Sequence, residues 1–366
     1  MLEMNEFLSE LKKNLPKELL YKFYPILVLE KLGFKIFKCK KCKINFLSFK
    51  KRKICGDADC GANASVIIRK KNISFVNFAK NFLNFFTKSS LNFKYSPKKF
   101  NNILYPFGTG LNFVVAGINA YTPGFFRETN QHNPNLESIF ADLQFCVRFE
   151  DFNNTLKSNR HYLGFVMAGQ HIIENKFTPF KSNFKGLVLE DLIKYLEVTL
   201  KIKLSKLTIH LDFWTDGENF GPCIEFFLNG VELANQVYME YASKQNEIKD
   251  LPFRIVDMGL GLQRLYFTKT GKTVEENFNL KKENFDLLRT LSFFLNTDLS
   301  PSKTGLCYNY RRLLKIFIET YKHKDYNEDF LKIKSFLKFF DIDLKKILKR
   351  LTELIKYEKR NEYTDS

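Results

Sequence analysis

From residue 101 to residue 259 the chain consists of short β-rich segments separated by turn residues, with one helical run among them. The segments are NILYPFG, LNFVVAGI, LQFCVRFE, LTIHLDFW, CIEFFLNG, NQVYMEY and FRIVDMG, and the helical interruption is LVLEDLIKYLEVTLKI at 187–202. Runs of strands with so few helices between them point to an α+β fold, an antiparallel sheet flanked by helices, rather than a doubly wound one. Ahead of this region, KELLYKFYPILVLEKL at 17–32 has apolar spacing near the helical period and ends at Gly33, and a second helix is expected over 74–87. After about residue 276, RRLLKIFIETY and FLKIKSFLKFFDIDLKKILKRLTELIKY have the amphipathic pattern of a helical domain. Three parts follow: 1–70 with a helix and a cysteine knuckle, 71–275 with the sheet, and 276–366 with helices.

Four of the seven cysteines, Cys39, Cys42, Cys55 and Cys60, are bunched in CKKCKINFLSFKKRKICGDADC. CxxC, a twelve-residue gap and CxxxxC let two turns present four thiolates to one Zn²⁺. That soft donor set favours zinc or iron–sulfur over hard cations. Reduced structural cysteines are the competing reading, because the second pair is spaced more widely than CxxC. Lys43, Lys50, Lys51, Arg52 and Lys53 lie between the pairs, so the expected knuckle offers a basic loop to RNA. Cys146, Cys223 and Cys307 are scattered and read as small apolar fillers.

The formal charge of +18 is unevenly spread: residues 1–100 hold 22 Lys/Arg against 7 Asp/Glu, 101–280 hold 17 against 20, and 281–366 hold 19 against 13. Basic flanks around a near-neutral centre fit a polyanion lying across a central site, with phosphate contacts supplying affinity; lysine enrichment of solvated faces is the plainer alternative. The charged start MLEMNEFLSELKKN is unlike a signal peptide, and no run of about 18 apolar residues occurs, so a soluble cytoplasmic protein without a membrane partner is expected.

RIVDMGLGLQRLYF, 254–267, nearly spells a dinucleotide fingerprint, but Arg264 stands where the third glycine belongs, and the surrounding βαβ repeat is missing. TGKT at 270–273 is not a phosphate loop either, since Tyr266 occupies the first glycine position. What remains is a strand ending in a Gly259-Leu260-Gly261 turn that delivers Arg264 into the start of a helix, a placement suited to a phosphate or a nucleobase face. A second basic and aromatic set lies in FCVRFEDFNNTLKSNRHYLGFVM. On a strand, a polar loop and a returning strand, Arg148 and His161 face one phosphate chain while Phe165 stacks a base; an ordinary hairpin is the alternative.

Together, in this order and sheet type, the two segments resemble the second and third signature motifs of the class II aminoacyl-tRNA synthetases. QFCVRF, NRHYLGFVMAGQH, GPCIEFFLNGVELANQVYM and VDMGLGLQRL are similar to the catalytic domain of the archaeal form of the alanyl-tRNA synthetases, over roughly residues 15 to 320. The knuckle with CGDADC resembles an amino-terminal element of the same enzymes. The resemblance implies that residues 71–275 form the aminoacylation domain and 276–366 a helical tRNA-recognition domain. It implies that Arg148 holds the ATP α-phosphate and the alanine carboxylate, with Glu150 nearby in the ATP-binding set. His161 then meets the distal phosphates, Phe165 stacks on adenine, and Arg264 covers the other adenine face and reaches the γ-phosphate. Asp257 matches the aspartate that pairs with the substrate ammonium. Met167, Trp214 and Val237 match the wall around the alanine methyl, with Asn235 as a polar neighbour and Glu225 as a Mg²⁺ ligand. Met167, Trp214 and Val237 equally suit an ordinary core, and Asp257 suits a cap for the helix after Gly259. His132, His171, His210 and His323 receive no role.

The implied chemistry is activation of alanine by ATP and transfer to the 3′ end of tRNA(Ala), resting on positioning and charge neutralisation. A pocket of methyl size does not strongly exclude glycine or serine. Family members continue into recognition, editing and oligomerisation domains, whereas this chain ends at Ser366 within the helical region. The expectation is a split or minimal catalytic subunit without an editing domain, working with a separate carboxy-terminal subunit. PSKTGLCYNYRRLL resembles the segment in which an asparagine after Pro-Ser helps read a G·U pair of the acceptor stem, and Lys303 occupies that position here. Gln263 replaces the usual glutamate before the motif arginine. A paralogue that charges another carrier, or a regulatory RNA-binding protein, is the alternative; the intact set of Arg148, His161, Phe165, Asp257 and Arg264 favours catalysis.

Overall fold

The computed structural model describes residues 2–62, 72–104, 113–120, 139–155, 161–174, 181–215, 219–244 and 247–364. Nine strands form one sheet: β1 (Lys35–Lys38), β2 (Asn45–Ser48), β3 (Ser96–Phe100), β4 (Ile139–Val147), β5 (Gly164–Ile173), β6 (Leu207–Thr215), β7 (Asn219–Leu228), β8 (Val231–Lys244) and β9 (Glu247–Gly261). Their order is β1-β2-β6-β7-β8-β9-β5-β4-β3, and each pair is antiparallel except β3 with β4. Strands β6 to β9 run as a meander. Between β7 and β8 the two-residue turn Asn229-Gly230 has both φ angles positive, 47° and 77°, the hairpin geometry that Asn-Gly favours.

The antiparallel sheet and flanking helices agree with expectation, and several local elements do not. NILYPFG and LNFVVAGI are not strands among the described residues, which hold only the bridge Leu104 to Phe113 and a 3-10 turn at Gly117–Ala120; residues 105–112 lie outside them. The helix expected over 17–32 is two helices, Lys17–Phe23 and Ile26–Lys31, because Pro25 lacks an N–H and its ring clashes with a continuing turn. The helix at 187–202 begins earlier, at Phe184, and its last turn widens into a π turn at Tyr195–Thr199. SPKKF, too polar to read as a strand, is β3, an edge position that tolerates Pro97. Strand β2 pairs with β6, so the cysteine region continues the central sheet.

One face of the sheet is covered by helices. Phe145 of β4, Val166, Ala168 and Ile172 of β5, Met258 of β9 and Tyr238 of β8 are buried there. The helix Phe75–Lys88 illustrates why such segments fold. The Ser74 hydroxyl caps it by accepting from the Asn77 N–H at 3.2 Å, and Phe75, Phe78, Phe82, Phe85 and Phe86 recur at three- and four-residue intervals on its buried stripe. Each such phenylalanine contributes about 1.5–3 kcal/mol by leaving water.

The helix Lys282–Leu295 anchors the start of β5. Asp286 accepts the N–H groups of Leu163 and Gly164 at 2.6 and 3.1 Å, and its Oδ1 pairs with the fully buried Arg289 at 3.0 Å. Gly164 leaves room for this, since a Cβ there would lie 2.3 Å from Thr290 Oγ1. The last helices are Tyr308–Thr320, Tyr326–Phe339 and Leu344–Thr364, and a two-pronged Arg311–Glu358 pair at 2.9 and 2.8 Å ties the first to the third. Lys99 of β3 reaches Asp341 at 2.9 Å, fastening these helices to that edge. No helix among the described residues is long and apolar enough to cross a membrane.

Candidate active site

Residues directly opposite in a ladder point to the same face, so the register sorts the side chains of the uncovered face. One row across the sheet reads His210, Glu225, Asn235, Gly259, Gly169 and Asp142, from β6 to β4. The next row reads Asp212, Cys223, Val237, Asp257, His171 and Phe140. Met167 stands opposite Gly261, and Trp214 opposite Gly221. All seven sheet residues singled out from the sequence, Phe165, Met167, Trp214, Glu225, Asn235, Val237 and Asp257, therefore share one face.

Arg148, His161, Phe165, Met167, Asn235 and Arg264 line a single cleft on that face. Gly259 and Gly261 form part of its floor. They are the end of β9, not the turn expected between strand and helix, so their role is a bare floor: a Cβ at 259 would press Asn235 Oδ1 at 3.2 Å and Met167 Sδ at 3.3 Å. The helix Leu262–Thr270 starts without a side-chain cap, with Gly261 at its N-cap position, and Asp257 lies within the strand. The capping alternative for Asp257 is thereby removed.

Both arginines are held. The backbone N–H of Arg148, just beyond β4, donates to Leu163 O at 3.0 Å. Its guanidinium donates to Val115 O at 3.1 and 2.8 Å and lies 4.9 Å from the Phe165 ring centre. Arg264, in the first turn of its helix, donates from Nη1 to both the carbonyl and the carboxylate of Glu232 at 3.1 Å. Phe165 is fixed indirectly, because the backbone just before it is clamped by Asp286.

Other candidates stand apart from the cleft lining. Trp214 and Val237 belong to a small apolar cluster with Cys223, Met239, Ile255 and Phe140, next to Asp257 in the register. Glu150 is exposed on the 3-10 turn Phe149–Asp151. Glu225 is engaged by His210, whose Nδ1 lies 3.0 Å from it. Burial pushes the Glu225 carboxyl up from its usual range, against the pull of His210. His132 lies outside the described residues.

Sequence reasoning missed Glu232, which partners Arg264, and named Gln263 only as a replacement for glutamate, without the role it has: its Oε1 accepts the Val166 N–H at 3.1 Å and so ties that helix to β5. It also assigned nothing to His171, which lies buried between Asp142 at 3.3 Å and Asp257 at 3.2 Å. The signal for His171 was the two-residue alternation from Phe165 through Met167, which places it on the same face.

At the β1–β2 end, the sulfurs of Cys39, Cys42, Cys55 and Cys60 lie within 4.8 Å of one another. Tetrahedral zinc with bonds of about 2.3 Å requires sulfurs roughly 3.8 Å apart. Cys42 and Cys55 Sγ are 3.9 Å apart, and the Cys55 N–H donates to Cys39 Sγ at 3.4 Å. Burial opposes ionisation of Cys39, but the N–H groups of Cys55, Cys42 and Lys41 outweigh it and pull the thiol down to about 6. Lys43, Lys50, Lys51, Arg52 and Lys53 are exposed around the cluster. A His210, Asp212 and Glu225 group close by is already satisfied, with Lys12 on Asp212 at 2.7 Å and His210 on Glu225.

Comparison with known proteins supports the resemblance seen in the motifs. The chain is 32% identical over 255 residues to an alanine–tRNA ligase of Methanocella arvoryzae, a match covering 68% of this chain and 28% of that protein. It is 27% identical over 254 residues to an alanine–tRNA ligase of Methanococcus vannielii, covering 68% and 27%. The matched region thus spans less than a third of the length of these relatives. No protein-family model matches. Among solved structures, pyrrolysyl-tRNA synthetase from Desulfitobacterium hafniense matches with a TM-score of 0.29 and 16% identity, covering 47% of this chain and 55% of that one. Seryl-tRNA synthetase from Pyrococcus horikoshii, complexed with ATP, matches with a TM-score of 0.29 and 11% identity, covering 55% and 57%.

Proposed function

We propose that the chain activates alanine with ATP and transfers it to the 3′ end of tRNA(Ala). The observation that carries this reading is the convergence of Arg148, His161, Phe165, Met167, Asn235 and Arg264 on one cleft, with Asp257 and the Val237–Trp214 cluster beside it on the same face. Archaeal alanine–tRNA ligases are the relatives that share this stretch of sequence.

In this reading the triphosphate lies along Arg148, His161 and Arg264, and the purine ring rests against Phe165. Alanine places its ammonium at Asp257 and its methyl toward Val237 and Trp214. Its carboxylate attacks the α-phosphorus and pyrophosphate leaves. Arg148, fixed by the Val115 carbonyl, neutralises charge at the attacked phosphate without reorganising during the step. The adenosine hydroxyl at the tRNA end then attacks the activated carbonyl.

Cys39, Cys42, Cys55 and Cys60 would hold zinc as a structural staple for the β1–β2 edge; the donor set and spacing fit that ion. Divalent magnesium would neutralise the phosphates; Glu225, the ligand the resemblance implies, would have to give up His210 to take part. The exposed lysines and arginine around the knuckle and the exposed Lys303 would meet the RNA backbone. The deciding experiment is amino-acid-dependent exchange of pyrophosphate into ATP by the purified chain. Exchange with alanine is expected, and no exchange with alanine, glycine or serine would end this reading.

A further inference from the structure

We propose that His171 is a positioning residue: held as an imidazolium between Asp142 and Asp257, it leaves the ammonium pocket with one net negative charge, matched to a single monovalent cation. This rests on the assignment of Asp257 to the substrate ammonium.

The geometry is specific. His171 and Asp257 are opposite each other in β5 and β9, and Asp142 is opposite Gly169 in β4 and β5. The His171 ring and the Asp142 carboxylate lie across the bare backbone of Gly169: a Cβ there would fall 2.2 Å from His171 Nε2 and 2.4 Å from Asp142 Oδ1. Phe140 packs beside the ring, centroid to centroid 5.2 Å. Nε2 faces Asp142 Oδ2 at 3.3 Å and Nδ1 faces Asp257 Oδ1 at 3.2 Å. A carboxylate oxygen only accepts, so each ring nitrogen must carry a proton to face one favourably, and a ring protonated at both nitrogens is charged. Electrostatics agree: burial alone would lower the pKa of His171, but Asp142 and then Asp257 outweigh it and push it up to about 10.

Among the described residues, two carboxylates and one imidazolium sum to a single negative charge, which is unfavourable until a cation arrives. The side chains of His171 and Asp142 are fully buried, whereas Asp257 is 14% exposed, so the open ligand position belongs to Asp257. Asp142 thus cancels the imidazolium, and the imidazolium orients Asp257.

The test is a charge-balance cycle read by pyrophosphate exchange. Asp142→Asn leaves the imidazolium to neutralise Asp257, and the KM for alanine is expected to rise about tenfold or more, with the KM for ATP within about twofold of wild type. Adding His171→Gln removes the surplus positive charge, and the double variant is expected to return to within about threefold of the wild-type alanine KM. A double variant no better than Asp142→Asn, or alanine and ATP KM values rising together, overturns the proposal. Imidazole nitrogen chemical shifts of the wild-type protein at pH 8, with the His171 signal identified by its loss in His171→Gln, read the charge independently of activity. A neutral His171 ring overturns the proposal even if the variants do not fold. A wild type that exchanges no alanine defeats the assignment of the reaction, while the nitrogen shifts still decide the charge of this pair.

Discussion

Arg264 spends one guanidinium nitrogen on two oxygens of Glu232, the backbone carbonyl and the side-chain carboxylate, each at 3.1 Å. Its remaining donors are left for a ligand, and Glu232 sets the direction in which they point. The pair is 38% and 33% exposed, so screening limits its own worth to about 0–1 kcal/mol. Glu232→Ala is therefore expected to raise the KM for ATP by up to about fivefold through loss of aim, with the melting temperature unchanged. A variant whose ATP KM equals that of wild type would show that Glu232 does not orient Arg264.

Removing a fixed charge from the reacting centre is costlier. Arg148→Ala takes away the guanidinium anchored on Val115, and Asp257→Ala takes away the carboxylate facing His171. Each is expected to lower alanine-dependent exchange by about 10²–10³, the scale measured for single preorganised groups elsewhere. Exchange within tenfold of wild type in either variant would remove that residue from the site.

Stability depends on a clamp beneath the cleft. Asp286 holds two backbone N–H groups at the start of β5 and pairs with Arg289, which is fully buried. Asp286→Ala leaves that guanidinium without its carboxylate, and the expected loss is about 3–5 kcal/mol by denaturant unfolding. A loss under about 1 kcal/mol would mean that the Asp286 carboxylate is not what holds Arg289, whose Nη2 also donates to the Gly164 carbonyl.

The buried imidazolium also gives folding a pH signature. The folded protein binds the His171 proton up to about pH 10, whereas an unfolded histidine releases it near 6.5. Raised affinity for a proton stabilises the fold fully below about 6.5, and this contribution is lost as pH climbs toward 10. Thermal melts of wild type should fall across that window by the equivalent of a few kcal/mol, roughly, and the slope should flatten in His171→Gln. His210 shifts the same way, to about 9, so the comparison between the two proteins carries the result rather than the wild-type slope alone. Parallel slopes would contradict a charged His171.

For the knuckle, metal analysis should find about one zinc per chain, and Cys39→Ser/Cys42→Ser should lose the metal and melt at least about 5 °C lower. A metal-free double variant with wild-type stability would leave the four cysteines as ordinary buried thiols.

Strands β6 to β9 were legible as short β-rich runs between turn residues, whereas Met167, Val237 and Asp257 were reached through the family resemblance, and the ladder register puts them on one face. What the sequence concealed was register and company. Gly259 and Gly261 read as a turn because glycine permits one, yet in the protein they serve by lacking side chains at the floor of the cleft. The alternation from Phe165 gave His171 its face but not its partners, Asp142, twenty-nine residues earlier, and Asp257 on a third strand. Glu225 was read as free for a cation, and only the β6–β7 register reveals His210 against it. Pro25 was visible but underweighted against an otherwise continuous helical period.

The attachment of the cysteine strands at β6 and of the last helices at β3 puts the basic cysteine knuckle and the lysine-rich last helices on opposite margins of a nine-stranded sheet. At about 4.8 Å per strand, the separation along the sheet is on the order of 38 Å. The sheet therefore acts as a ruler. A strand of phosphates touching both margins would have to span that distance, so its reach, rather than its sequence, would decide whether it does so.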